Sequence, residues 1–280
     1  MNKLVAAHLY LRCRCVECGA EKALPTLTVN GRRLARDVHG VLRDMGDAVA
    51  PIVVAGTASA SQTIAQVESV LSDPAWATRI VDAAKPTITR MVADGGIRGG
   101  RMVGVSFNAA DDSVRRVIET TTTRLAEDVQ AGTVTNVADL LGKRYTEGLT
   151  PSEIVKDLRE QQFSPVRARA IARTESARAA NAGQIESWRQ SPIAIKKTWK
   201  ASIGACQFCD RLEMLYGPSN PIPLDDAFLP VGASLVGTEG GTMTNTYGPV
   251  YGAPLHPNCT CTIAPQWDRT EVGDDEEESG

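Results

Sequence analysis

Between residues 31 and 131 the apolar positions recur with helical spacing. In "GRRLARDVHGVLRDMGDAVAPIVV" the residues Leu34, Val38, Val41, Leu42, Met45 and Val49 fall three or four apart, which puts them on one face of a helix. Pro51, Pro74 and Pro86 punctuate the pattern, and Asp73-Pro74 predicts a helix start. The stretch "DGGIRGG", residues 94–100, reads as a hinge or loop, because four glycines in seven positions disfavour a helix. Helical spacing returns through Val114, Val117, Ile118, Leu125 and Val129. Two further helices carry start signals. Thr150, Pro151 and Glu153 form a capping box with proline at the first helical position, and Ser164-Pro165 opens a helix reaching about Trp188.

The pattern then changes. From Gly217 to His256, thirteen of forty residues are Gly or Pro, which predicts turns and short strands with too few apolar groups to stabilise a fold unaided. Such a segment needs a clamp. The expected class is α+β: a mainly helical N-terminal region, then a small mixed α/β C-terminal domain with a Gly/Pro-rich insertion. The expected division is a cysteine-containing segment (1–30), a helical assembly region (31–149), the mixed domain (150–268) and an acidic tail (269–280).

Composition adjusts this picture in two places. The 280 residues are 42% hydrophobic and 22% charged, enough for a packed core. The formal charge of −3 hides a split, since residues 271–280 hold six acids and no base, leaving 27 acids against 30 bases elsewhere. The tail reads as solvated chain. No run reaches eighteen apolar residues, and the N-terminal apolar stretch lacks a small-residue cleavage site, so a soluble protein made in the cytoplasm is expected, needing no membrane to fold.

Seven cysteines and three histidines are unevenly placed. Cys206 and Cys209 form C-x-x-C, a spacing that lets two thiolates of one turn reach a tetrahedral ion. In "LHPNCTCTI", Cys259 and Cys261 lie two apart, and His256 precedes them. A structural zinc site of four thiolates, or of three and an imidazole, is one reading; five candidates compete for four places. Ordinary thiols or disulfides are the other. Cys13, Cys15 and Cys18 resemble half of a zinc knuckle without a partner pair.

Catalytic constellations are thin. His256 and Asn258 invite comparison with metal-dependent nucleases, but His8 and His39 are distant in sequence, and no G-x-S-x-G occurs. Asp225-Asp226 reads as a solvated pair. The arginines of the 164–190 helix (Arg167, Arg169, Arg173, Arg178, Arg189) suit phosphates, yet Glu175 and Glu186 stand three residues from Arg178 and Arg189, as on a salt-bridged helix surface.

Three ordered blocks carry a resemblance. "ARAIARTESARAANAGQIESW", "KKTWKASIGACQFCDRLEM" and "PLHPNCTCTI" together look like the head-morphogenesis domain of phage minor capsid proteins, the family named for the F protein of phage Mu. The matching residues are Ala172, Arg173, Thr174, Glu175 and Asn181 on the helix, Trp199 on the next strand, and His256, Pro257, Asn258, Cys259 and Cys261 at the end. The likeness spans roughly 150–265. Many relatives carry an acid, a basic residue and a histidine where this chain has "SIGACQFCD". The resemblance implies a structural, non-enzymatic minor head protein packaged in few copies inside the capsid near the portal vertex. Its implied partners are portal, scaffold and major capsid proteins, and it leaves contact with the packaged DNA, and ejection with it, open. The toxin or ADP-ribosyltransferase domain of some relatives is not expected here. Arg173, Thr174 and Glu175 are expected to knit the helix to the later strands, with Glu175 paired to Arg173 or to a backbone donor. The alternative is a DNA-binding or metal-dependent DNA-processing accessory.

Overall fold

A computed structural model describes residues 27–56, 59–193, 195–246 and 248–267. The expectations for His8, Cys13, Cys15, Cys18 and the acidic tail lie outside the described residues. Six helices come first: α1 (Val29–Ala55), α2 (Ala60–Leu71), α3 (Pro74–Val103), α4 (Asp112–Thr146), α5 (Pro151–Gln161) and α6 (Pro165–Arg189). Then follow β1 (Lys196–Lys200), α7 (Gln207–Tyr216), β2 (Ile222–Pro223), β3 (Ser234–Val236), β4 (Thr242–Thr244) and β5 (Thr262–Gln266). The fold is α+β.

The start signals act as their chemistry requires. Asp73 accepts from the Ala75 amide, Thr150 and Glu153 close a reciprocal capping box, and Ser164 accepts from the Arg167 amide. Each satisfies donors that the first helical turn leaves orphaned. The α1 face read from sequence is buried throughout, from Leu34 to Val49.

Two expectations are corrected. Pro51 and Pro86 do not interrupt their helices; they lie inside α1 and α3. Both rings face solvent, while Val49 and Val53, and Ala84 and Ile88, stay buried on the other side. Continuous burial offsets one lost backbone hydrogen bond. Likewise "DGGIRGG" is helical, all of it within α3. The reason is a backbone crossing with α6. A Cβ on Gly95 would sit 2.1 Å from the Ala180 carbonyl oxygen, and one on Gly183 would sit 2.0 Å from that of Val92. Only glycine lets these helices approach so closely. The Trp188 indole then donates to Gly99 O at 3.1 Å.

Helix α6 is the axis of the molecule. It packs on α1, α3 and α4 and reaches β5. Its Ala168, Ile171, Ala172 and Ala179 join a core that runs back to Leu34, while Ile185 and Trp188 join a second core with Trp199, Phe228 and Ile263. The first core passes through residue 150 without a break, since Ile154, Leu158 and Phe163 belong to it. In the C-terminal part, β1 is the centre of an antiparallel sheet ordered β2-β1-β5, with Trp199 opposite Ile263. Strands β3 and β4 form a separate hairpin.

Candidate metal centre

Helix α7 starts immediately after Cys206, its N-cap residue, so Cys206 and Cys209 share the first turn. The facing segment, residues 256–261, turns tightly. The Cys259 amide donates to His256 O at 3.1 Å, and Asn258 has φ 58°. Asparagine tolerates that left-handed conformation better than most side chains. Cys259 and Cys261 lie just before β5 rather than within it, and both are buried.

The two segments meet around Cys209. Its Sγ lies 3.6 Å from His256 Nε2 and 3.6 Å from Cys259 Sγ, and Cys206 Sγ is 3.1 Å from His256 Nε2. Two compact triplets result, Cys206-Cys209-His256 and Cys209-Cys259-Cys261, each with its ligand atoms within 4.8 Å of one another. Tetrahedral zinc with ordinary bond lengths separates two sulfurs by about 3.8 Å and sulfur from imidazole nitrogen by about 3.6 Å. The donor set fits such an ion, and all five candidates from the sequence are brought together.

Crowding splits the thiols' proton affinities. The Cys206 thiol is pushed down to about 4, by hydrogen bonding from Cys209 against the cost of burial, with help from His256. Cys261 is lowered by its Cys209 and Cys259 neighbours. Cys209 is pushed up by donating to Cys206, Cys259 and Cys261. In Cys259 the contact from Cys209 pulls down, but Cys261 and burial prevail and raise it. Burial alone would lower His256; the hydrogen bond and charge of Cys206 raise it instead. Close-packed sulfurs that cannot all keep their protons suit a cation at their centre.

Around the centre, α6 grips the same segment. Arg173 Nη1 donates to Asn258 Oδ1 at 2.7 Å, and the Asn258 amide donates to Thr174 Oγ1 at 3.2 Å. Asn181 Nδ2 donates to Ala253 O at 2.8 Å, while its Oδ1 accepts from Thr262 Oγ1 at 3.3 Å. Trp199 is fully buried, edge-on to Phe228 at 5.3 Å. Glu175 pairs with Arg178, as their three-residue spacing suggested, and not with Arg173, the other partner expected of it. Nor is the pair on the helix surface. Glu175 and Glu186 are 3% and 2% exposed, and Arg167 is wholly buried, donating to Gln162 O and Thr133 Oγ1. They are buried because α6 has neighbours on several sides, which its alanine-rich sequence permits but does not announce.

Three organising residues escaped the sequence reading. Lys197, buried in β1, donates to Leu224 O and Tyr251 O at 2.6 and 2.8 Å. Its ammonium is pushed down to about 8, chiefly by burial and then by Arg189. Gln207 Oε1 accepts from the Glu239 and Gly241 amides and so holds the hairpin. Asn245 Nδ2 donates to Leu229 O and Gly248 O. Each satisfies backbone groups of a segment with little sheet of its own. Only the poverty of that segment hinted that such residues had to exist.

Residues 135–264 match the family model described as Phage Mu protein F like protein. This segment belongs to that family. The match begins inside α4, upstream of the expected 150, and ends in β5, so it takes in both the crossing helix α6 and the whole cysteine centre. No curated protein matches the chain, and no solved structure does. Among the described residues no helix is long and apolar enough to cross a membrane.

Proposed function

We propose that this Mu F-like chain is a structural minor head protein, acting in procapsid assembly near the portal vertex. Portal, scaffold and major capsid proteins are its partners, and it resides inside the virion. The family match over 135–264 carries the reading. The architecture supports it. Long helices (27, 30 and 35 residues in α1, α3 and α4) offer extended surface for partners, and a stapled module is fused to them through α6.

The staple is a structural zinc ion held by Cys206, Cys209, Cys259 and either His256 or Cys261. It cross-links the start of α7 to the 256–261 turn and so closes the base of the Gly/Pro-rich insertion. No catalytic role is assigned. His256 is the residue a nuclease would need, yet Nε2 faces two thiols and Nδ1 lies 2.9 Å from Pro257 O. An imidazole so engaged is not available as a general base.

Native mass spectrometry of the full chain, purified without chelator, tests the staple. One zinc held in a manner abolished by Cys209→Ser is expected; metal content unchanged by that substitution removes the staple. Quantitative proteomics of purified procapsids tests the assembly role. Substoichiometric copies that vanish from portal-less procapsids are expected, and absence from normal procapsids refutes the role.

A further inference from the structure

Helices α1 and α3 lie side by side, and one end of the pair is basic. The Asn30 side chain donates to Asp94 Oδ2 at 3.1 Å, and Thr87 Oγ1 donates to Asp37 Oδ2 at 3.3 Å. These bonds set residues 30–41 of α1 beside residues 86–103 of α3. The two stretches hold six arginines and two aspartates, and those aspartates are Asp37 and Asp94. Arg32 donates to Leu27 O at 2.7 Å. Among the described residues, the side chains of Arg33, Arg36, Arg90, Arg98 and Arg101 make no ion pair or hydrogen bond, and all but Arg33 are exposed. Arg90, Arg98 and Arg101 recur on one face of α3, and residues 104–110 that follow carry no charge. Further back along the same helix the basic side chains are paired, Arg79 with Asp44 and Lys85 with Glu119. The unpaired arginines therefore form a one-sign surface, which attracts anions.

We propose that the acidic segment 268–280 of the same chain docks on this arginine face, its carboxylates meeting Arg98, Arg101 and Arg90. The segment holds seven acids and one base, the opposite charge to the face. Its root is near. Trp267, the residue before it, packs against the second core, and so does Val103 at the end of α3. From Arg90 to Val103 the helix covers about 20 Å. Thirteen residues reach about 45 Å when extended and about 20 Å as a relaxed chain, enough to follow it. Asp274 to Glu278 are consecutive acids, so several registers bring carboxylates to guanidinium groups, which bind them as charge-assisted hydrogen bonds. Exposed pairs contribute little singly, but the tether holds them at about millimolar effective concentration. A seated segment closes the face to other polyanions, nucleic-acid phosphates among them. The inference depends on neither the assembly reading nor the metal centre.

Phenylglyoxal modification of arginines in the full chain, followed residue by residue by peptide mass spectrometry, tests the docking. The comparison is a full-length variant with a neutral segment, carrying Glu271→Gln, Asp274→Asn, Asp275→Asn, Glu276→Gln, Glu277→Gln and Glu278→Gln. Arg98 and Arg101 are expected to react about threefold more slowly in the wild type, the protection given by a face occupied about two thirds of the time. Arg159, exposed on α5 and paired with Asp47, should react alike in both chains. The difference should vanish in about 1 M salt, where screening is strong. Equal reactivity of Arg98 and Arg101 in the two chains at low salt overturns the proposal. Protection lost on about tenfold dilution overturns it by assigning the docked segment to a second copy. Equal protection of both chains by added duplex DNA also overturns it, since a seated segment would compete.

Discussion

The crossing of α3 and α6 makes a sharp prediction for Gly183→Ala. Helix propensity alone favours alanine over glycine by about 1 kcal/mol. At Gly183 the added Cβ would lie 2.0 Å from Val92 O and 2.8 Å from Gly96 N, both backbone atoms. Backbone inside a helix cannot step aside as a side-chain end can. Reaching even the short end of ordinary contact, 3.4 Å, requires the helices to part by roughly 1.4 Å at their crossing. The gap would open along Gly95 and Gly99 and would lengthen the Trp188–Gly99 hydrogen bond. Overpacking costs about 1–3 kcal/mol, occasionally more; a clash of Cβ with helix backbone belongs at the upper end, about 3 kcal/mol, so the net loss should be about 2 kcal/mol after the propensity gain. At about 2 °C per kcal/mol for a long chain, Tm should fall by about 4 °C. Gly40→Ala is the control. It lies inside α1 with nothing within 4 Å of its would-be Cβ, so it should gain about 1 kcal/mol. Urea and thermal unfolding of the two variants, followed by far-UV circular dichroism, measure both. If Gly183→Ala matches or exceeds the wild-type Tm, the close crossing is not what requires these glycines.

Other outcomes follow from the C-terminal part. Lys197 titrates lower in the folded chain than in the unfolded one, about 8 against 10.5. The unfolded state therefore binds more protons between those values, and stability should rise with pH across that window; Lys197→Met should abolish this rise, and parallel pH–stability curves for the two proteins would refute the cause. Asn258→Ala should cost about 1–2 kcal/mol, through left-handed strain and the lost Arg173 bond. Asn258→Gly, which keeps the conformation, should cost less by urea titration, and equal losses would locate the effect wholly in the hydrogen bond. Chelation of the native protein should loosen the insertion first, seen as faster amide exchange across 222–250 while α1 and α3 stay protected. Uniform protection after complete metal removal would deny the staple its role.

Much of the helical part was legible because its signals are local. Capping residues act within one turn, and the α1 face needs nothing but its own spacing. The cysteine centre was legible too, because two spaced pairs and a histidine are rare in a chain with three histidines. Even Asn181 and Trp199 were visible through the family pattern. What stayed hidden depends on distant neighbours. The same "DGGIRGG" that reads as a breaker becomes helix once α6 supplies a backbone to touch, and its glycines at four-residue spacing were the sole local trace. Pro51 and Pro86 survive inside helices because the faces opposite them are buried by other elements. The spacing of Glu175 left Arg173 and Arg178 both open as partners, and the turn at Asn258, 85 residues away from Arg173, claims that arginine and leaves Glu175 to Arg178. Sequence alone settled where helices start, which faces are apolar and which thiols can converge, since these follow from interactions within a few residues. Tertiary structure decided which glycines are crossings, which charges are buried and which helices bring their arginines together, since these depend on which distant segments share one space.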